Sequence, residues 1–495
     1  MIQRRADGKV QPGIRWGPFT LRIPFYHFGF EWPETLQGLI VSGATGLSMI
    51  PIMTGYLGID PDVELAIVVV QSVLIGLAPI VFGDPYCHGW VTPAIPLVLF
   101  FVSEMGGGPD ISGAEQLKII QTITAFTLLN AAIFFFAGIT GLGRLIVEKI
   151  PTALKAGIIF GAAVSAFAHE FRVERFEMSR FEASATTLMN DKDIGTEDFQ
   201  PPRSFLLSAP YSSLTAVAIC MLLMFSKPLE GLKKSYRWVT ILAGLGLAPG
   251  FLIGMIVAYY THEAEWEMQW GIAAPPFGEM WRQLSPLSIG WPTWEMYVSV
   301  APLCLVVYII GFGDIVTGNE LLRDAARHRP DEKLDINATR THLNIGIRNA
   351  LQALIAGPFP VTHGPLWTGV HVVVTERYKQ GRGAMDSIYG GIAAYYFWGI
   401  PVLLFLLPVT SFLQPMLPVA LSMTILLTGF ACSYIAMAIP RNNAERGVAM
   451  SIGMVLAFFG PTEALALGLL MTLFMSGWTT ESTPREEAEA EGFPS

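Results

Sequence analysis

Two stretches of the chain interrupt long apolar runs in the same way, Gly83-Asp84-Pro85-Tyr86-Cys87-His88-Gly89-Trp90 and Gly357-Pro358-Phe359-Pro360-Val361-Thr362-His363-Gly364-Pro365. Each holds a His-Gly pair. Each is followed by an apolar run too short to cross a bilayer, Thr92 to Val102 or Leu366 to Val374, with Glu104 or Glu376 just beyond. Irregular backbone at membrane depth is tolerated only where it is buried in protein or lines a cavity, so a pair of corresponding breaks points to a solute site. The chemistry on offer is non-covalent capture. A short helix starting after each break exposes unpaired N–H groups and about half a positive charge at its N-terminus, which favours an anion. Thr92 is a candidate N-cap with Pro93 in the first turn, and the residues assigned to the solute are Trp90, Val91, Thr92, Pro93, His363, Gly364, Pro365, Leu366, Trp367 and Thr368.

Asp314, within Gly311-Phe312-Gly313-Asp314-Ile315-Val316-Thr317-Gly318, is the carboxylate deepest in a span of the second half. An intramembrane acid is costly and by default marks an ion or proton pathway, so Asp314 is expected to carry a coupling H+ or Na+. The competing reading makes it a structural acid bonded to backbone or to Arg348. That arginine is the one basic residue well inside its own segment, read either as a snorkelling side chain or as a clamp on the solute. His88 and His363 either meet solute and titrate near neutral pH or fill space as partners for exposed carbonyls. Trp90 either stacks on a planar ligand or packs. The eight histidines and the cysteines 87, 220, 304 and 432 show no metal-ligand spacing, and no nucleophile elbow, P-loop or dinucleotide fingerprint occurs. No metal, cofactor or enzymatic activity is expected.

These residues must be held by membrane-spanning helices. The chain is 52% hydrophobic and 14% charged with a mean hydropathy of +0.48, which excludes an ordinary soluble domain and gives no sign of nucleic-acid binding. The fold class expected is an all-α polytopic membrane protein of 14 segments, with short extended stretches before the half-helices of spans 3 and 10. The first seven spans lie near 36–57, 63–82, 92–104 (the half-helix), 117–140, 151–168, 206–226 and 237–260. The second seven lie near 296–320, 341–356, 365–377 (the half-helix), 386–406, 417–438, 446–459 and 462–478, the last pair being readable also as one long helix. Residues 1–35 form a cytoplasmic or interfacial N-terminus, 36–262 and 263–478 the two repeats, and 479–495 a disordered acidic tail. A long, mixed-charge loop, 169–203, is either a solvated excursion or a lid or partner-binding element.

Lysine and arginine concentrate in alternate loops, at Lys227 to Arg237, Arg323 to Lys333 and Arg377 to Arg382, and are missing from the short opposite connections. By the positive-inside bias both termini face the cytoplasm, and the protein is expected in a bacterial inner membrane. Three ordered matches relate the halves: Met53-Thr54-Gly55 with Val316-Thr317-Gly318, His88-Gly89 with His363-Gly364, and Ile150 to Leu154 with Leu417 to Leu421. Halves with an odd number of spans must lie upside down to one another.

With these residues in view, the chain resembles the superfamily of nucleobase-ascorbate transporters and SulP sulfate permeases. Ser42-Gly43-Ala44-Thr45 is similar to the glycine-alanine-threonine element of the nucleobase family, which makes Thr45 a supporting residue beside His88 and Arg348. Trp90-Val91-Thr92-Pro93 resembles that family's aromatic residue before the third helix, Gly313-Asp314 its eighth-span glycine-acid pair, and His363-Gly364 falls near its tenth-span motif. Two positions depart from it. Ile310 and Pro365 stand where nucleobase transporters carry an acid and an acid or amide, so a base edge would go unsatisfied. The resemblance implies a core domain (spans 1–4 and 8–11), a gate domain (spans 5–7 and 12–14), a homodimer, and secondary active transport of a small anionic or planar solute by alternating access. The rivals are a xanthine- or uracil-type permease, an anion channel and a non-transporting receptor.

Overall fold

The computed structural model describes residues 5–29, 31–39, 46–47, 49–91, 94, 98, 101–102, 105–108, 110–142, 149–171, 205–236, 238–239, 242, 247–358, 362–397, 405–459 and 461–480. Thr45, Thr92, Pro93, Glu104, most of the half-helix expected at 92–104, the loop from 172 to 203 and the tail from 481 lie outside them.

A short hairpin, β1 (Ile14–Trp16) and β2 (Phe19–Leu21), precedes α1 (Trp32–Gln37), α2 (Met49–Leu57) and α3 (Pro61–Leu77). Asp60 caps α3, accepting from the Asp62 N–H, and a π turn, Ala78–Phe82, ends it. After strand β3 (Gly89–Trp90) come α4 (Gly113–Ile139), α5 (Thr152–Glu170), α6 (Pro210–Phe225) and α7 (Ala248–Tyr260). The second half runs α8 (Phe277–Leu284), α9 (Trp294–His328), α10 (Ala338–Ala356), β4 (His363–Gly364), α11 (Thr368–Lys379), α12 (Ile388–Phe397), α13 (Leu417–Ala438), α14 (Asn443–Phe458) and α15 (Pro461–Met471). Among the described residues, four helical runs are long and apolar enough to cross a membrane: Pro61–Phe82, Gly113–Ile139, Leu303–His328 and Leu407–Ala438. The expected segment 446–478 is two helices, α14 and α15, meeting around Phe459 and Pro461.

Helices in lipid gain little from hydrophobic burial against one another, so small residues that let backbones approach decide where they pack. Along α5, Gly157 and Gly161 form a small-xxx-small face. A Cβ on Gly157 would stand 2.6 Å from the Ile452 side chain of α14, and one on Gly453 would stand 2.9 Å from the Gly161 nitrogen. On the other side of the molecule α10 crosses α4 in the same manner, with a Cβ on Gly346 2.8 Å from the Phe135 backbone nitrogen. Around these two crossings α13 joins α5, and α9 joins α4.

The N-terminal segment is bound to one end of the bundle. Arg22 donates its backbone N–H to the Ile80 carbonyl at 2.7 Å and a guanidinium N–H to the Gly83 carbonyl at 3.2 Å, while the Trp16 indole donates to Val81 at 2.9 Å. These are the carbonyls that the break after α3 leaves without helical partners. At the same end Arg5 and Arg329 both reach Asp331, at 3.0 and 2.6 Å, and Arg382 pairs with Asp7 and Asp386. The two guanidiniums, Arg329 foremost, hold the Asp331 carboxyl down at about 2.

The packing yields a contrast within one helix. Gly453→Ala forces a Cβ onto backbone atoms of α5, whereas Gly447→Ala, where nothing lies within 4 Å, relieves only a glycine's helix penalty. Thermal unfolding of the detergent-solubilised protein should show Gly453→Ala destabilised by about 1–3 kcal/mol and Gly447→Ala neutral or slightly stabilised. Equal melting temperatures would contradict this contact.

Candidate functional site

The two breaks meet. Strands β3 and β4 pair antiparallel with Gly89 opposite Gly364 and Trp90 opposite His363, flanked by bonds from Val91 N–H to Thr362 O (3.1 Å) and from Trp367 N–H to Cys87 O (2.6 Å). Two glycines at one rung are required sterically, since a Cβ on Gly89 would be 2.7 Å from Trp367 and one on Gly364 2.9 Å from Val91. The ladder is only two residues long. Its remaining polar groups are met by side chains, as buried backbone must be. The Asn349 carboxamide acts as a third strand, donating to the His363 carbonyl at 3.0 Å and accepting the His363 N–H at 2.7 Å. The His371 imidazole accepts the Cys87 N–H at 3.2 Å, and the Tyr396 hydroxyl donates to the His88 carbonyl.

Behind the strands α10 presents a buried polar stripe, Arg340, Thr341, Asn344, Arg348, Asn349 and Gln352, in a helix whose other faces are largely apolar. Arg348 is its centre and is fully buried. Its guanidinium donates to the Asn344 Oδ1 at 2.8 Å, to the His363 Nδ1 at 3.1 Å, to the His88 Nδ1 at 2.7 Å and to the Gly364 carbonyl at 3.3 Å. A guanidinium only donates, so both Nδ1 atoms are acceptors and each ring carries its proton on Nε2. The His88 Nε2–H then donates to the Asp84 Oδ2 at 3.2 Å. Asn344 and Thr341 donate to the same carboxylate, at 3.1 and 2.9 Å, and Arg340 stands 3.7 Å away. Charge thus runs from Arg348 through a neutral imidazole to Asp84, a buried ion pair with histidine as its spacer. The His363 Nε2 has no partner.

His88 and His363 each accept from Arg348, and their backbone is tied by Tyr396 and Asn349. Arg348 is neither a snorkelling nor an interfacial side chain, because the strand pair buries it and supplies acceptors for its N–H groups. It does not bond Asp314. The Trp90 indole donates to the Gln71 carboxamide of α3. Pro365, Leu366 and Trp367 connect β4 to α11, whose Thr368 end carries no side-chain cap. Asp314 lies in α9, partly accessible, with no hydrogen bond or ion pair to a described residue. Ile310, one turn away, lines an apolar pocket with Leu154, Ile158, Ile452 and Leu456.

Asp84, Asn344, Asn349 and Gln71 escaped the sequence reading. The signal was there for α10, whose polar residues recur at 341, 344, 348 and 352 on one helical face.

Removing Arg348 leaves two imidazole nitrogens, an amide oxygen and a backbone carbonyl without their donor, and Asp84 without its counter-charge. Arg348→Met should destabilise the folded protein by about 3–5 kcal/mol, as losing one member of a buried ion pair does, and Arg348→Lys should not restore it, because one ammonium cannot span the four acceptors. Melting temperatures in detergent check this; a lysine variant as stable as the parent would refute the bidentate role.

The model of the sulfate permease family matches residues 63–338. Among solved structures, one of SLC26A9 superposes with a TM-score of 0.48 at 10% identity, covering 90% of this chain and 66% of that one. The transmembrane domain of a cyanobacterium bicarbonate transporter, BicA, superposes with a TM-score of 0.46 at 13% identity, covering 88% of this chain and 97% of that one. This chain therefore spans slightly less than two thirds of the SLC26A9 chain. No curated protein matches in sequence.

Proposed function

From the chain's membership of the sulfate permease family, we propose that this integral membrane protein moves a small anion by secondary active transport, with the coupling ion, H+ or Na+, held at Asp314. The observation that carries the reading is the paired break. Strands from the two halves lie side by side, and the Thr368 end of α11, which follows β4, begins beside that pair, where the Trp367 N–H bonds the Cys87 carbonyl. At α11 the first-turn N–H groups face that place with no side-chain cap. The buried Arg348 adds positive charge behind the strands. Ile310 and Pro365, standing where the nucleobase family carries an acid and an acid or amide, support an anion over a nucleobase, because a base edge would lack those partners.

In this reading spans 1–4 and 8–11 of the 14-span inverted repeat form a core that shifts against a gate of spans 5–7 and 12–14. Asp314, on a helix that packs both on α4 and on α5, stands where that motion changes its surroundings. The end carrying Arg5, Arg329, Lys379 and Arg382 is the cytoplasmic one, supported by the basic residues gathered there. A bacterial inner membrane and a homodimer are the family-level expectations.

Reconstituted protein, tested with sulfate, bicarbonate and chloride with and without proton and sodium gradients, checks this. Asp314→Asn should lower gradient-driven accumulation by about tenfold or more, the equivalent of at least about 1.4 kcal/mol of lost coupling, while exchange of labelled for unlabelled anion persists. Intact accumulation in the variant would remove Asp314 from the coupling role, and stabilisation by uracil or xanthine alone would overturn the anion preference.

A further inference from the structure

A second acid lies in the other half of the molecule, on α3. Glu64 is fully buried, and neither carboxyl oxygen has a hydrogen-bond partner among the described residues. Most buried polar side chains elsewhere in this protein are tied down, so an acid with both oxygens free is an exception that stability does not explain. Its neighbourhood repeats the pattern. Two helical turns on, and on the same face of α3, about 10 Å along the axis, is Gln71. Gln71 is also fully buried and its amide nitrogen is unpartnered, while its oxygen accepts the Trp90 indole N–H. On α10, which packs against α3, Gln352 is buried one turn beyond the strand-clamping Asn349, and neither of its amide atoms is bonded. The Thr362 hydroxyl, one residue before β4, is free as well. A track of unsatisfied polar groups thus runs from Glu64 down to the strand pair.

The track is capped. Helix α8 packs on both α3 and α10, with Met280 and Leu284 buried on its inner side and Glu279 and Arg282 exposed on its outer side. The Ser285 hydroxyl fastens the end of α8 to the Leu354 carbonyl at 2.6 Å, and Gly357 turns at φ 68° where a Cβ would strike the Leu284 carbonyl. The titratable and charged groups carried by the other elements packed on α3 are Tyr56 of α2, Arg340, His342 and Arg348 of α10, and Tyr389, Tyr395 and Tyr396 of α12; Asp60 and Asp62 stand exposed at the mouth of α3. Glu64 makes an ion pair with none of them.

We propose that Glu64 is a proton-binding site on the outer half of the protein, exposed to the outer solution when α8 lifts and linked to the solute site through Gln71 and Trp90. A proton is the ligand its chemistry selects. A metal or sodium ion needs several converging oxygens, and no group of three His, Cys, Asp or Glu side chains among the described residues is placed to hold one. A single dry carboxyl is instead neutralised by one proton taken from water and returned to it. Position supplies the opposite bias. Glu64 sits in the first turn of α3, where the helix N-terminus favours the carboxylate once water enters. The group therefore has two states, acid when capped and anion when open. This proposal rests on the anion-permease reading and adds to Asp314 a second, outward-facing titration.

Two measurements separate the two readings. Infrared titration of the purified protein in lipid should show the carbonyl band of an undissociated carboxylic acid in the wild type at neutral pH, reduced by one carboxyl in Glu64→Gln and shifted in Glu64→Asp. Uptake of labelled sulfate and chloride into liposomes should vary severalfold with external pH in the wild type and become flat in Glu64→Gln, with anion binding retained. An unchanged infrared band, or an unchanged external pH profile, overturns the proposal. If Glu64→Gln does not fold, Glu64→Asp carries the infrared comparison. If the wild type moves neither anion, the permease reading fails and the infrared result alone decides Glu64.

Discussion

Everything at the candidate site depends on one constraint: backbone polar groups inside a bilayer must find partners within the protein. The chain breaks two helices at membrane depth and pairs only two residues of each strand, which leaves most of the exposed N–H and C=O groups to be met otherwise. Asn349, His371 and Tyr396 each take one or two. The polar stripe of α10 does the rest, and its centre, Arg348, ties both histidines and the Gly364 carbonyl to a single guanidinium. Because that charge is buried, it in turn requires Asp84, which it reaches through His88. The breaks, the stripe and the acid form one unit, and no member can be removed without stranding the others.

That dependence separates rigid from adjustable parts. The strand pair is over-determined and holds its geometry. Asp314 and Glu64 are the opposite case, acids to which the described structure gives no partner. In a protein whose helices meet through glycine faces, α5 on α14 and α10 on α4, small displacements alter what an unpartnered acid sees without breaking a specific bond. The proposed permeation by alternating access would ask for this division, a solute site that keeps its shape and ionisable groups whose surroundings change.

Much of this was legible in the residues. Hydropathy located the four long apolar runs, because a span of about 20 apolar residues leaves a signal that no tertiary detail can erase. Proline and glycine located both breaks, and the repeated His-Gly pair foretold that the breaks correspond. The partners did not show. Gln71, Asn344 and Asn349 look in sequence like ordinary polar residues in helices, and only the fold brings them to backbone that lies far away in the chain. Arg348 stayed open between two readings for the same reason: a lone arginine in an apolar segment ordinarily snorkels, and only the acceptors gathered around it make full burial bearable.

The sequence alone determined that the chain spans a membrane and that it is interrupted twice in like manner, each time with a His-Gly pair. These are properties of local composition and backbone sterics, which each segment carries wherever it folds. The tertiary structure decided that the two breaks pair as strands, that both histidines accept from the arginine, and that Glu64 has no bonded partner among the described residues. Those outcomes turn on which groups arrive within about 3 Å of one another, a distance that long-range packing sets.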